Sequence, residues 1–169
     1  MKQDFFGRLS EVVSCGQIKR EELLSRHTTF RIGGPADFFV ENGTYHNFFI
    51  TILSFGFKHG IPEDSDLVFD VRFLKNPYYV PELKKLTGKD QRVRDYVLSS
   101  AAAYPFLDKL EDMLRFLIPG YIAEGKNQLV VSIGCTGGKH RSVTVAYELE
   151  KRLAKTEYGV KTEHRDILK

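Results

Sequence analysis

A nearly unbroken apolar run, Gln128-Leu129-Val130-Val131-Ser132-Ile133, leads straight into Gly134-Cys135-Thr136-Gly137-Gly138-Lys139-His140-Arg141-Ser142. An amphipathic segment follows at once, with Val143, Ala146, Leu149 and Leu153 at helical spacing, so a helix is expected over about residues 140–156. A strand, a glycine-rich turn and a helix in direct succession leave few folds open to the chain. Three glycines let main-chain N–H groups converge, and the helix start adds unpaired donors and a positive dipole end. Lys139 and Arg141 bring full charge to the same place, and Thr136 and Ser142 bring hydroxyls. The turn is expected to cradle an anion, a phosphate above all. The plainer reading is a tight strand-to-helix turn in which the glycines only permit the geometry.

The rest of the chain fits an α/β frame around that turn. At 169 residues there is room for one such domain and some additional material. Residues 47–57 are almost continuously apolar, the pattern of a strand covered on both faces of a parallel sheet. After the turn Lys58-His59-Gly60-Ile61-Pro62, a second buried strand is expected over 67–73. Helices are expected over 81–86, 91–99 and 105–121, and a closing strand over 160–167. In the longest helix Phe106, Leu110, Met113, Leu114 and Leu117 read as the core stripe. Strands alternating with helices predict a mostly parallel sheet with flanking helices. The first 25 residues read as a short amphipathic helical region, with 17–24 a further turn or helix. Residues 27–40 read as two extended pieces around Gly33-Gly34-Pro35. Glu41-Asn42-Gly43-Thr44 looks like a join between a leader, 1–43, and the α/β domain, 44–169.

Charge and cysteine usage narrow the setting. The formal net charge is only +3, too small to argue for nucleic acid by itself. The first forty or so residues are about neutral, and the excess lies from Lys139 onward, near the glycine turn. Cys15 and Cys135 have neither metal nor disulfide spacing, which fits a reducing cytoplasm. No apolar run is long enough to span a bilayer, and the N-terminus lacks the pattern of a signal peptide.

Several side chains are placed to carry chemistry. Cys135 and Arg141, followed by Ser142, have the C-x5-R spacing of cysteine-dependent phosphatases, in which a helix N-terminus and cations favour a thiolate. Gly134 stands where those enzymes carry histidine, and Asp70 is the one general acid in view, so Cys135 reads first as a packing residue. Asp70, Arg72 and Asn76 fall at or after the C-terminal end of a strand, where ligands bind in open parallel sheets. Arg72 could grip a phosphate or sugar hydroxyl and Asp70 an arginine or hydroxyl; equally, the two could simply pair. His59 belongs to the same rim. His140 reads as a phosphate donor or an exposed helix cap. His164 and Arg165 read as pocket-lining, as part of an RNA surface, or as a solvated strand end.

From about Ser54 to Arg165 the chain resembles the C-terminal domain of RapZ/YvcJ proteins. The blocks that carry the likeness are Ser54-Phe55-Gly56-Phe57-Lys58-His59-Gly60-Ile61-Pro62, Leu67-Val68-Phe69-Asp70-Val71-Arg72-Phe73-Leu74 with Asn76-Pro77-Tyr78, Leu86-Thr87-Gly88, and 133–142. Extended to about 46–167, the resemblance implies an α/β domain that binds a phosphate-bearing ligand such as glucosamine-6-phosphate or a UDP-sugar. It also implies a small regulatory RNA as partner, and a homo-oligomer is a possible state. No GxxxxGK[ST] motif is present, so nucleotide hydrolysis is not expected, and the tail after Arg165 is only weakly basic. Separately, His27-Thr28-Thr29-Phe30-Arg31-Ile32-Gly33-Gly34-Pro35-Ala36-Asp37-Phe38-Phe39-Val40 resembles the start of MurB, the flavin-dependent UDP-N-acetylenolpyruvoylglucosamine reductase. That likeness covers about residues 1–41 and implies the opening strands of an FAD-binding domain. A hairpin cannot enclose an isoalloxazine ring, so FAD is not expected.

Overall fold

The computed structural model describes residues 18–23, 35–40 and 48–169. The chain divides into two compact units, residues 1–45 and 46–169. In the first, β1 (Ile18–Leu23) pairs antiparallel with β2 (Pro35–Val40), Ile18 opposite Val40 and Leu23 opposite Pro35. The turn or helix expected over 17–24 is therefore a strand. The helical preference of its Lys, Arg and Glu residues is weak, and pairing with a strand that ends Phe-Phe-Val outweighs it. The helix expected from Met1 and the extended piece over 27–32 lie outside the described residues.

The second unit is built on a four-stranded, all-parallel sheet in the order β4 (Leu67–Asp70), β5 (Gln128–Cys135), β3 (Phe49–Gly56), β6 (Gly159–His164). Central β3 and β5 are buried almost throughout, as continuous apolar runs in a sheet covered on both faces require. β4 is an edge strand with alternating exposure, shorter and less covered than the buried strand expected over 67–73. It stops at Asp70 because Val71 N–H turns to the Gly134 carbonyl at 2.9 Å and Leu74 N–H folds back on Val71. β6 stops at His164, short of the expected 167, where Asp166 turns inward and is fully buried.

Among the described residues, four helices connect and flank the strands: α1 (Pro81–Lys84), α2 (Gln91–Leu98), α3 (Ala103–Ala123) and α4 (Arg141–Leu153). Asp90 starts α2 by accepting the Arg92 N–H at 3.0 Å, an N-cap. α3 buries Leu107, Leu110, Leu114 and Ile118; Met113, expected in the core stripe, is turned outward and 39% exposed. α4 packs on β3, β5 and β6, and α2 and α3 pack on α4. Because all four strands run the same way, Gly56, Asp70, Cys135 and His164 end at one edge of the sheet.

Candidate anion-binding cleft

The turn after β5 is held in place by close main-chain approach. Gly138 has φ +77°, a backbone that L side chains rarely adopt, and a Cβ there would come within 2.8 Å of Gly56 N and of Asp166 Cβ. Gly56 lies equally close on the other side, its own notional Cβ 2.5 Å from the Gly137 carbonyl carbon. Lys58 N–H donates to the Thr136 carbonyl at 3.2 Å, and Gly88 N–H to the Lys139 carbonyl at 2.9 Å. The segments 54–62 and 86–88 thus brace the turn from two sides. Among the described residues, the amides of Gly137, Lys139, His140 and Arg141 have no acceptor. The amide of Gly138 does: it points to Cys135 Sγ at 3.3 Å.

These residues line a cleft of about 810 Å³ at the C-terminal edge of the sheet. Cys135, Thr136, Gly137, Lys139, His140 and Arg141 come from the turn, Asn76, Tyr78 and Tyr79 from the segment after β4, and Lys58, Lys84, Lys85 and Lys169 from three further segments. Among the described residues, no Asp or Glu side chain lines it. Among the described residues, Lys58, Lys84, Lys85 and Lys139 have no acidic partner. Lys169 pairs with Asp166 at 2.8 Å. Lys58, Tyr79, Lys84, Lys85 and Lys169 were not singled out from the sequence. The adjacent Lys84-Lys85 just before Leu86-Thr87-Gly88 was the local signal that could have pointed to them.

Arg141 plays a different part from the one its sequence position suggests. It is buried, and its guanidinium donates to the carbonyls of Arg72 at 2.6 Å and Leu74 at 3.3 Å, and to Thr136 Oγ1 at 3.2 Å. It clasps the segment after β4 to the turn. Ser142 is fully buried, with its Oγ 3.2 Å from Cys135 Sγ. Gly134 is buried inside β5. His140 is buried rather than an exposed cap, and its Nε2 has no partner among the described residues. Burial holds its imidazole below the ordinary pKa, only partly offset by the main chain of Leu86.

The remaining sequence-picked residues stand outside this cleft. Arg72 chelates Asp70, Nε to Oδ2 at 2.8 Å and Nη2 to Oδ2 at 2.6 Å, and lies over the Phe57 ring at 4.4 Å. That hydrogen bond keeps the Asp70 carboxyl below its usual pKa. His59 is exposed on the turn after β3. His164 and Arg165 border a second cavity of about 490 Å³ with Glu63, Asp64 and Glu163. His164 Nδ1 meets Ser54 Oγ at 2.8 Å, and burial lowers its pKa. Arg165 bonds Asp166 and the Gly60 carbonyl. Among the described residues there is no group of His, Cys, Asp and Glu that could hold a metal, and no helix long and apolar enough to cross a membrane.

An open parallel α/β sheet with a basic, glycine-floored cleft beyond its strand ends defines a class of small ligand-site domains. The chain belongs to the family of the RapZ C-terminal domain, whose model matches residues 48–168. It is similar to a nucleotide-binding protein of Lachnoclostridium phytofermentans, 71% identical over 131 residues that cover 78% of this chain and 46% of the relative. A nucleotide-binding protein of Agathobacter rectalis is 60% identical over 151 residues, 89% of this chain and 51% of the relative. One of Clostridium beijerinckii is 63% identical over 118 residues, 70% and 40%. The chain thus spans about half the length of the curated relatives it matches.

Proposed function

We propose that residues 46–169 form a binding domain for a phosphate-bearing ligand, either a phosphorylated amino sugar such as glucosamine-6-phosphate or a UDP-sugar, and that the domain regulates rather than catalyses. One observation carries this reading: among the described residues, the amides of Gly137, Lys139 and His140 have no acceptor beside a cleft lined by four lysines without acidic partners and by no Asp or Glu side chain. Amides without acceptors and clustered cations gain most from a multiply charged anion. The relatives' name, nucleotide-binding protein, supports the same ligand chemistry. Binding is favoured over phosphatase chemistry because the Arg141 guanidinium is spent on the main-chain carbonyls of Arg72 and Leu74. Isothermal titration of the full chain with glucosamine-6-phosphate and UDP-GlcNAc tests it. Saturable binding that Lys139→Ala weakens is expected, and silence across both ligands refutes the reading.

A small regulatory RNA is the second reading, favoured by the same lysines, which lack acidic partners among the described residues. It requires affinity that falls with salt at a log–log slope of about −0.7 per phosphate neutralised; a flat response excludes it. In this account the domain works without FAD, in the cytoplasm, as a monomer or homo-oligomer. The first unit is a MurB-like leader without flavin chemistry.

A further inference from the structure

The lysines in the cleft outnumber the charges of a single phosphate. A phosphomonoester carries about −1.5 to −2 near neutral pH. Lys58, Lys84, Lys85 and Lys139 all lack carboxylate partners among the described residues, and Lys58 Cε lies 3.9 Å from where a Gly137 Cβ would sit. At about 810 Å³ the cleft is toward the upper end of small-molecule sites, roomier than one phosphorylated sugar ring requires.

Its far wall supplies the second half of the argument. Asn76 Oδ1 accepts the Tyr78 N–H at 3.2 Å, and Val80 N–H closes on the Pro77 carbonyl at 3.0 Å. The short turn Pro77–Tyr79 is thereby fixed, with Pro77 buried beneath it. Tyr78 is covered on one side by Lys84 Nζ, 4.4 Å from its ring centre. Tyr79 meets Tyr78 edge to face at 85°, so its own ring is not stacked there, and it is 80% exposed. An exposed aromatic ring on a hydrogen-bonded turn beside a cationic cleft has the chemistry that holds a nucleobase: the phosphates answer the charges and the ring stacks the base.

Resting on the phosphate reading above, we infer that the cleft is built for a nucleoside diphosphate or its ester, with the diphosphate on the Gly137–Lys139 turn and the base stacked on Tyr79. Tyr79 is the residue that separates a nucleotide from a plain phosphate.

The test titrates the full chain with UDP, inorganic pyrophosphate, glucosamine-6-phosphate and a short oligouridylate, in wild type, Tyr79→Ala and Tyr79→Phe. UDP should bind at least about ten-fold more tightly than pyrophosphate, within the range of one base on one ring. Tyr79→Ala should erase that advantage while leaving pyrophosphate affinity unchanged, and Tyr79→Phe should keep it. UDP no tighter than pyrophosphate, or UDP affinity indifferent to Tyr79→Ala, overturns the inference. So does tight glucosamine-6-phosphate or oligouridylate binding with UDP ignored, although the phosphate cleft then stands. If none of the four binds, the cleft reading itself fails, and this inference with it.

Discussion

The fully buried carboxylate of Asp166 accepts the main-chain N–H of Gly56 at 2.9 Å, joining the turn after β6 to the end of β3. Arg165 and Lys169 complete its ion pairs at 2.8 Å each. The same residue stands against Gly138, so the floor of the cleft and the aim of Lys169 depend on one aspartate.

Replacing Asp166 with Asn should lower stability by about 2 kcal/mol. That is less than a fully buried pair costs to break, because Arg165 and Lys169 are 28% and 53% exposed. Burial alone would raise the Asp166 pKa, but the bonds from Arg165, Lys169 and Gly56 outweigh it and hold the carboxyl well below its ordinary range. A depressed carboxylate pKa stabilises the fold above the unfolded value, and that contribution is lost as pH falls below about 4. Urea midpoints between pH 6 and pH 3 should therefore fall more steeply for wild type than for Asp166→Asn. Parallel slopes would contradict the assignment.

Glycine substitutions separate close approach from ordinary helix propensity. Gly138→Ala forces a Cβ into Gly56 N and Asp166 Cβ at a positive φ, and should cost at least about 1–3 kcal/mol. Gly120→Ala, inside α3 with nothing within 4 Å of the new methyl, should be neutral or stabilising by about 0.5–1 kcal/mol. Thermal denaturation of the two variants reads the difference directly.

Lys139 and Arg141 should part company in their phenotypes, although both were read from the sequence as cations on the turn. Arg141→Ala leaves the Arg72 and Leu74 carbonyls without their donor and should destabilise by about 1–3 kcal/mol. Lys139→Ala should change stability by no more than about 0.5 kcal/mol and act on ligand affinity alone. Equal melting temperatures for the two variants would show that Arg141 is not the clasp described.

Much of this frame was legible locally. The apolar runs of β3 and β5 and the 3.6-residue period of α4 are properties of short windows, and so is the glycine turn. The fate of 18–23 was not, because its partner strand decides it. Nor was the full set of cations. Lys58 reaches the turn because Gly56 packs on Gly137, and Lys169 is held by a single ion pair to Asp166. Asp70 and Arg72 looked like ligand residues because they sit at a strand end, yet two residues of spacing let them neutralise each other.

The buried His140 and the half-buried His164 should shape the neutral limb of stability. His140 and His164 both have pKa values pushed down by burial, so the unfolded chain binds protons that the folded chain refuses. Stability should rise as pH increases through about 6.5, the unfolded histidine value. His140→Gln should flatten part of that rise in urea midpoints taken from pH 5 to pH 7.5; an unchanged profile in this variant would count against a buried neutral imidazole.

The central claim is that the open amides of the turn hold an oxyanion, and an amide-resolved NMR titration of the full chain with inorganic pyrophosphate at low salt tests it most directly. The Gly137, Lys139 and His140 amide signals should shift together and saturate, and Lys139→Ala should weaken the transition several-fold. If those signals stay fixed while pyrophosphate moves others, or moves none, the cleft is not an anion site.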